Sequence, residues 1–422
     1  MKEELLHYLW KTKRFLTSNL TTTNGEDISI LHPGNHNHNA GPDFLHAKVK
    51  IGNTEWNGHI EIHIKSSDWN AHKHQHDLAY NNVILHVVHQ FDKDITNKNG
   101  QTIPTLEIKD KYDMGLQKKY ESLMASSSWI PCSDQIASSS AFPKLGFFLE
   151  RKLTDRLVRK HLAMAALLEE KKQDWEEVLY TSLLKYIGLK VNNSAFKTLA
   201  DIASYKLLIK QGESVKQKES FLFGQAGMLS GQDDYFRSLQ KEYHHQQNKY
   251  ELQPMTGVEW KFSRLRPANF PTLRIAQIAK LYHQSPQLFN LVVSNPDYKY
   301  LSELLDVTAS TYWDQHYVPG KTTESKRKSI GKMTKDILII NVFAPLIFTY
   351  GIATDDENIK AKAIDLLYEI KAENNTIIRK WKERHINPEN AGQSQALLEL
   401  KTEMCDKFRC LQCTIGQQIL HS

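Results

Sequence analysis

Cysteine and long apolar runs are scarce in this sequence, and each scarcity excludes a class of protein. The 422 residues contain four cysteines, which are too few for a disulfide-stapled secreted scaffold. Because no run of about 18 apolar residues occurs, we expect no membrane span. The opening stretch MKEELLHYLWKTKRF is charged and lacks the apolar core of a signal peptide. Together these absences predict a cytoplasmic protein.

Internal repeats and low-complexity tracts are absent as well, which argues against a solenoid or a disordered chain. Hydrophobic residues make up 40% of the chain, which is enough for a sizeable core and, at this length, for two domains rather than one. The net charge of +6 is compatible with a polyanionic partner but does not require one.

Two kinds of apolar pattern divide the chain. In its first part, residues 44–51 and 56–65 alternate with period two, and residues 83–89 form an apolar run, as strands do. Farther along, long stretches carry the spacing of amphipathic helices. We therefore predict an α+β protein, with a small mixed α/β sheet domain over residues 1–115 and a larger helical domain over residues 116–422.

The strand within WNGHIEIHIK has one ionisable face and one apolar face. Side chains alternate across a sheet, so one face carries His59, Glu61, His63 and Lys65, and the other carries Ile60, Ile62 and Ile64. Asp43 lies at the head of the preceding strand, and in a hairpin it converges with Glu61. Two adjacent carboxylates are tolerated when a divalent cation lies between them. We therefore predict a Mg²⁺ or Mn²⁺ site at Asp43 and Glu61, with His63 or Lys65 positioning or deprotonating a water.

A purely structural interpretation of these residues is also open. Asp43 then caps a turn, and Glu61 pairs with Lys48 or Lys65. The alternating charges in this interpretation belong to a solvated sheet face that has no chemical role.

The two strands resemble the PD-(D/E)XK nuclease superfamily over roughly the first 110 residues. In that superfamily an α-β-β-β-α-β core carries an Asp at the head of one strand and a Glu-x-Lys on the next. Pro42-Asp43 matches the first half, and Glu61-Ile62-His63 matches the second except that His63 replaces the lysine. Lys65 lies two residues on, on the same face, as a substitute. The resemblance implies a metal-dependent phosphodiesterase with Asp43 and Glu61 as ligands.

Histidines are concentrated in the same region, since eleven of the 19 lie between His32 and His89. Histidine binds metals and donates to phosphate, so a site in this region is expected, with His72 and His76 as further ligands. The stretch DWNAHKHQHD is similar to a Trp-His cluster in a mismatch-repair endonuclease branch of that superfamily. The alternative is a solvated loop together with ordinary core histidines.

Three of the four cysteines lie close together near the C-terminal end, as Cys405, Cys410 and Cys413, and the fourth is Cys132. The order C-x4-C-x2-C with a remote fourth cysteine is typical of plant-type iron–sulfur ligation, and four cysteines also suit structural zinc. We predict an iron–sulfur cluster or Zn²⁺ held by all four. Some nucleases of the superfamily named above carry a similar cluster. The alternative is four ordinary buried cysteines.

An arginine-rich loop in the helical part is a candidate for contact with a nucleic-acid backbone. In WKFSRLRPANFPTLRIAQIA, the residues Arg264, Arg266 and Arg274 flank a Pro-bordered loop that contains Asn269. Guanidinium groups bind phosphate oxygens through two donors at once. The alternative is a buried junction in which these arginines pair with carboxylates.

The entire chain is similar to an uncharacterised bacterial domain-of-unknown-function family, through NAGPDF, GHIEIHIKSSDW, YNNVILHVV, RPANFPTLRIAQIA and CLQCTIG. That resemblance implies no activity. Our leading hypothesis is a metal-dependent nuclease with nucleic acid, DNA rather than RNA, as its partner. The second is an inactive nuclease-like binding or scaffolding protein, and the third is another metal-dependent hydrolase that uses the histidines.

Overall fold

The structure, a computed structural model, describes residues 1–136, 145–256 and 260–421. Packing divides the chain into two compact units. The sheet unit comprises Met1–Leu145 together with Leu400–Ser422, and the helical unit comprises Gly146–Glu399. The C-terminal segment, which carries three of the cysteines, therefore belongs with the sheet, whereas the sequence pattern grouped it with the helices.

The sheet unit is built on one mixed sheet. Its strands are β1 Leu20–Thr21, β2 Asp27–His32, β3 Asn35–His36, β4 Phe44–Ile51, β5 Thr54–Lys65, β6 Val83–Gln90 and β7 Thr105–Glu107. The order across the sheet is β1-β2-β4-β5-β6-β7, and β3 pairs with β4. The first four strands on this path pair antiparallel, whereas β6 pairs parallel with both β5 and β7. The helical unit contains a separate two-stranded hairpin, which consists of β8 His316–Val318 and β9 Lys321–Thr322.

Helices make up most of the remaining described structure. In chain order they are α1 Glu3–Thr12, α2 Asp68–Ala71, α3 Met114–Ala125, α4 Ser133–Ile136, α5 Leu145–Glu170, α6 Trp175–Ile187, α7 Leu189–Ile202, α8 Tyr205–Ile209, α9 Val215–Gln225, α10 Asp234–Tyr250, α11 Pro271–Gln284, α12 Leu288–Ser294, α13 Tyr298–Leu304, α14 Lys332–Leu338, α15 Ala344–Ala353, α16 Glu357–Glu369, α17 Thr376–Lys382, α18 Ala391–Glu399 and α19 Thr414–His421. A sheet region followed by a large helical region confirms the predicted α+β class.

Burial explains how the sheet unit holds β5 in place. Helix α1 buries Leu5, Leu6, Leu9 and Trp10, and the indole of Trp10 donates to the carbonyl of Pro33. On β5, the core-facing side chains Ile60 and Ile62 are fully buried. Burying each such aliphatic side chain contributes about 1.5–3 kcal/mol. The register of β5, which decides where its ionisable side chains point, is therefore fixed by its apolar face.

One helical stretch, Lys332–Ala353, is long and apolar enough to cross a membrane by length and composition. It combines α14 and α15 with a π-helical segment, Ile339–Phe343. The apolar runs in the sequence did not predict such a stretch. However, 67% of its apolar window is buried inside the fold, as in the core helix of a soluble protein. A helix surrounded by other helices is apolar on most sides for that reason.

A buried carboxyl group lies in the core of the helical unit. Glu219 on α9 is fully buried and accepts hydrogen bonds from the hydroxyls of Tyr235 and Ser310. Burial raises the pKa of Glu219 to about 7. Because the folded state binds this proton more tightly than the unfolded chain does, the stabilisation is complete at acidic pH and is lost as the pH rises through 7.

Replacing Glu219 by glutamine is therefore expected to flatten the pH dependence of stability. Between pH 5 and pH 8 the wild-type protein should lose about 2 kcal/mol of unfolding free energy relative to Glu219→Gln, visible in calorimetry as a falling Tm. The exposed Glu213 on the preceding loop provides the control substitution, Glu213→Gln. Parallel pH profiles for wild type and Glu219→Gln would contradict the assignment.

Candidate metal centre

The two carboxylates predicted from the sequence lie together at the end of the β4–β5 hairpin. The backbone N–H of Asp43 donates to Glu61 Oε2 over 3.1 Å, and the backbone N–H of Ile62 donates to Asp43 Oδ2 over 3.0 Å. Each side chain thus accepts a backbone hydrogen bond from the other strand. The strand register shifts between Phe44 and Ala47, next to this exchange. The hairpin and the convergence predicted from the alternating pattern are both found.

A cluster of histidines surrounds Glu61 on its other side. His74 Nε2 lies 3.3 Å from Glu61 Oε1, and His63 Nε2 lies 3.7 Å from the same oxygen. One ring nitrogen from each of His63, His72 and His74 lies within 4.8 Å of the other two. Three imidazole nitrogens and a carboxylate oxygen therefore face one small volume.

The imidazoles are also linked to one another. His63 Nδ1 lies 2.8 Å from His86 Nε2, and His63 Nε2 lies 3.0 Å from His72 Nδ1. His63 and His86 are almost fully buried on adjacent strands β5 and β6. A ligand imidazole is commonly oriented by a partner on its second nitrogen, and His86 has that position relative to His63.

The turn after β5 positions His72 and His74. Asp92, just after β6, accepts hydrogen bonds from the hydroxyls of Ser66 and Ser67 and from the Ser67 N–H. Trp69 on α2 is buried and donates to the carbonyl of Thr96 over 3.0 Å. These contacts anchor the first residues of α2 and the turn before it, a few residues ahead of His72 and His74.

Aromatic packing completes this arrangement around His74. The His74 ring stacks on Tyr80 at a centroid distance of 3.8 Å and meets Trp69 edge-on at 5.3 Å. A ring packed on two sides has little rotational freedom, so the direction in which its Nε2 atom points is set by the fold.

The electrostatics favour neutral imidazoles beside a carboxyl group that is difficult to ionise. Burial, followed by the charges of His74 and His72, lowers the pKa of His63 to about 3. Burial lowers the pKa of His86 well below its ordinary value. For Glu61, burial raises the pKa, and the neighbouring Asp43 carboxylate adds to that rise. A bound cation reverses this penalty on Glu61 and accepts the lone pairs of neutral histidines.

The donor set fits a cation, because carboxylate oxygens and neutral imidazole nitrogens are ligands of divalent metals. His74 Nε2 and His7 Nε2 are two of the buried atoms that lack a hydrogen bond of good geometry, and each lies near a carboxylate oxygen, at 3.3 Å from Glu61 Oε1 and at 3.2 Å from Asp43 Oδ2 respectively. The Asp43 contact raises the pKa of His7 even though burial alone lowers it.

The structure separates the sequence-predicted residues into two groups. Asp43 lies against Glu61, Glu61 lies beside His63, and His63 is linked to His72, which is itself exposed. Lys65 is at the exposed end of β5, and its charge acts on Asp92 rather than on Glu61. His76 is also exposed. Its place in the cluster is taken by His74, two residues earlier in the same alternating run.

Sequence reasoning also missed His7 and His86 as members of the site. His86 interrupts the apolar strand VILHVVH, and an ionisable residue inside such a run was the available signal. His7 comes from α1, whose sequence contains no local indication that it faces Asp43. We define the metal cluster as Asp43, Glu61, His63, His72 and His74.

The four cysteines form a second cluster within the sheet unit. All four are free and buried. Burial and the neighbouring thiols Cys413 and Cys410 raise the pKa of Cys132 to about 12. The pKa of Cys405 is likewise raised, by burial and then by the other three thiols. The thiols therefore influence one another's pKa, but among the described residues the group whose potential ligand atoms all lie within 4.8 Å of one another is His63, His72 and His74, without the cysteines.

Local structure brings the C-terminal cysteines together. Cys405 ends a π-helical turn, Leu400–Cys405, and Cys410 begins a 3₁₀ turn, Cys410–Gln412. Helix α19 starts directly after Cys413 and packs tightly on this turn, since a Cβ at Gly416 would lie 2.2 Å from the carbonyl oxygen of Cys410. Glycine is therefore needed at position 416 for the turn and the helix to meet.

The arginine loop of the helical unit has one buried and two exposed arginines. Arg274 is 2% exposed and donates to Gln277, Asn269 and Thr334 over 2.7–2.8 Å. Its partners are neutral amides and a hydroxyl rather than the carboxylates anticipated for a buried junction. Arg264 and Arg266 are exposed. Arg274 and Asn269 therefore shape the loop, and the two exposed arginines are the ones available to a partner.

Comparison with known proteins gives one match. A family model described as "Protein of unknown function (DUF2851)" matches residues 3–376. No curated protein matches the chain, and no solved structure does.

Proposed function

The chain belongs to this family of proteins of unknown function, and we propose that its sheet unit is a metal-dependent nuclease that hydrolyses phosphodiester bonds. One observation carries the proposal. Asp43 and Glu61 meet at a strand pair, nitrogens of His74 and His63 lie 3.3 and 3.7 Å from Glu61 Oε1, and one nitrogen from each of His63, His72 and His74 lies within 4.8 Å of the other two. Carboxylates that converge with imidazoles are the donor set of a divalent cation.

The order of elements around the site supports a PD-(D/E)XK-like core. Helix α1 is followed by the antiparallel strands β2, β4 and β5, then by α2, and then by β6 parallel to β5. When the two-residue strands β1 and β3 are left aside, this order agrees with the α-β-β-β-α-β core that the resemblance implies. Asp43 precedes the second of these three strands, and Glu61 lies on the third.

The identity of the metal follows from the ligands. Mg²⁺ prefers oxygen ligands, whereas imidazole suits Zn²⁺ and other transition metals. We propose Mg²⁺ or Mn²⁺ at Asp43 and Glu61, and the three histidines favour Mn²⁺ of the two. When bound, such a cation offsets charge on a phosphate and lowers the pKa of a bound water. His63, linked to His86, takes the position of the superfamily lysine, and Lys65 at the exposed end of the strand is the weaker substitute.

We further propose that Cys132, Cys405, Cys410 and Cys413 hold a structural iron–sulfur cluster or Zn²⁺. Their joint burial and mutual electrostatic influence support a shared metal. Thiols with raised pKa values release protons when a metal binds, so loading should be favoured at higher pH.

Nucleic acid, DNA rather than RNA, is the proposed partner, in the cytoplasm and without a membrane. The exposed Arg264 and Arg266 support contact with a phosphate backbone. The helical unit would contribute to substrate binding through this loop.

Two alternatives rest on specific observations. Asp43 and Glu61 each already accept a backbone hydrogen bond, which favours an inactive nuclease-like module that only binds or scaffolds nucleic acid. The histidine cluster favours a hydrolase that acts on a different substrate through histidine ligands.

A substrate panel separates the three functions. The protein and its Asp43→Asn variant are incubated with Mg²⁺ or Mn²⁺ and labelled single-stranded, duplex and branched DNA, RNA, and small esters. We expect metal-dependent cleavage of a nucleic acid by the wild type and its loss in Asp43→Asn. Binding without cleavage indicates the inactive module, and hydrolysis of esters alone indicates the other hydrolase. Cleavage that survives Asp43→Asn contradicts the proposed site.

A further inference from the structure

A basic groove adjoins the metal cluster inside the sheet unit. It has a volume of about 790 Å³ and runs between α1, the segment around β3, and the C-terminal cysteine segment. That volume is in the range of pockets that hold ligands. His7 connects the two features, because it lines the groove and its Nε2 lies 3.2 Å from Asp43 Oδ2.

The charge of the groove points to an anionic ligand. Its cationic lining residues are Lys11 from α1 and Lys407 and Arg409 from the cysteine segment, with the histidines His36 and His38 between them. Among the described residues that line it, Glu4 is the acidic one. Lys407 pairs with Glu403 on the surface, but its side chain is still 46% exposed. An excess of cations on opposite walls suits a chain of phosphates that passes between them.

His36, which lines the groove, is influenced by other basic groups of the same groove. The pKa of His36 is lowered to about 4, first by burial and then by the charges of His7, His38 and Lys11. An anion placed there would be attracted by the same groups.

An exposed aromatic residue lies between the two C-terminal cations. Phe408 is 37% exposed and lines the groove, and its backbone adopts a positive φ of 51°. The buried cysteines Cys405 and Cys410 fix both ends of this short strip. Cations beside an exposed aromatic ring are the means by which proteins hold unpaired nucleotides, since the ring stacks on a base and the cations contact phosphates.

We propose that this groove binds a single strand of nucleic acid, with Phe408 stacking on a base and with Lys11, Lys407 and Arg409 on phosphates. The inference rests on the proposed nuclease function, because the groove would lead the strand to Asp43. A duplex does not offer an unpaired base to Phe408, so single strands should bind more tightly than duplexes.

Binding measured without catalysis tests the groove. Fluorescence anisotropy of a labelled 12-nucleotide single strand is recorded in EDTA with wild type, Lys407→Glu/Arg409→Glu, Lys11→Glu and Phe408→Ala. We expect the double variant to bind at least 10-fold more weakly. Its slope of log affinity against log salt should be shallower by about 0.7 for each phosphate that is no longer neutralised. Phe408→Ala should bind the single strand about 10-fold more weakly and a duplex almost as well as wild type does.

A chemically matched pair elsewhere supplies the control. Lys326 and Arg327 form an exposed basic pair on a loop of the helical unit, and Lys326→Glu/Arg327→Glu makes the same change in net charge. If this control weakens binding as much as the groove variant does, the affinity depends only on the net charge of the protein, and the proposal is overturned. Lys11→Glu lies on a different element, so it keeps the test valid if the double variant misfolds.

The outcomes for groove and nuclease are distinguishable. If the groove variants bind the single strand as well as the wild type does, the groove proposal is overturned. Cleavage by the wild type can still be observed in that case, so the nuclease proposal is not affected. If the groove variants weaken binding but the wild type cleaves nothing in the substrate panel, the groove proposal is supported and the nuclease proposal is overturned.

Discussion

Glu61→Gln is expected to lower metal-dependent cleavage by about 10³-fold or more. A cation that stabilises charge in the transition state lowers the activation free energy by several kcal/mol. A loss of about 4 kcal/mol corresponds to a 10³-fold lower rate. Glutamine has nearly the shape of glutamate, so it can still accept the hydrogen bond from the Asp43 N–H. The substitution therefore removes charge and affinity for metal while it preserves the strand pair. Single-turnover cleavage with saturating Mn²⁺ measures the effect.

A second glutamate on the same strand makes this prediction specific. Glu55 also lies on β5 but is exposed, and Glu55→Gln should leave the rate within a factor of two. Because burial raises the pKa of Glu61, the charge-free Glu61→Gln protein should be at least as stable as the metal-free wild type. A Glu61→Gln protein that is stable and cuts at the wild-type rate would show that Glu61 is not a ligand.

Cys410→Ser is expected to abolish metal retention at the cysteine cluster and to destabilise the sheet unit by several kcal/mol. Structural metals contribute about 10–16 kcal/mol of apparent binding free energy in small zinc domains, and losing one of four ligands removes much of it. Cys410 is buried in a turn that packs against α19. Loss of the metal should therefore also weaken the packing of α19. Elemental analysis after anaerobic purification, an absorption spectrum and the Tm report the result.

The chelated wild type is the matched reference, because the sequence has no cysteine outside the cluster. In metal-free protein, Cys410→Ser should cost about 1 kcal/mol, the ordinary penalty for a polar group at a buried position. The large effect should therefore appear only in the comparison with metal-loaded protein. If the purified wild type is colourless and metal-free, and its Tm is the same before and after chelation, the proposed metal site at the four cysteines is contradicted.

The sequence predicted the elements well wherever the pattern is local. The alternation over residues 44–51 corresponds to β4 as observed, and that over 56–65 falls within β5. The apolar run 83–89 is β6, which ends one residue later. Period-two alternation and helical spacing are properties of a few consecutive residues, so a single sequence contains them.

The parts that the sequence did not predict depend on distant contacts. His7, His74 and His86 come from a helix, a turn and a different strand, and only the parallel pairing of β5 with β6 brings His63 and His86 together. The union of Leu400–Ser422 with the sheet unit likewise comes from packing over long separations in the chain. Such contacts leave no local period to detect.

The choice between His74 and His76 illustrates the same limit at short range. Both belong to the alternating run His72, His74 and His76, in which the chain forms a 3₁₀ turn, His74–His76, after a left-handed Lys73. In that geometry only His74 stacks on Tyr80 and faces Glu61. Turn conformation, rather than residue type, therefore decides which histidine joins the metal cluster.

Anomalous diffraction from crystals grown with Mn²⁺ tests the central claim most directly. We predict a Mn²⁺ peak inside the metal cluster, within about 2.0–2.3 Å of Glu61 and of histidine nitrogens, and its loss in Glu61→Gln crystals. A cluster that stays free of Mn²⁺ at millimolar concentration, with Asp43 and Glu61 bonded only to backbone amides, would contradict it.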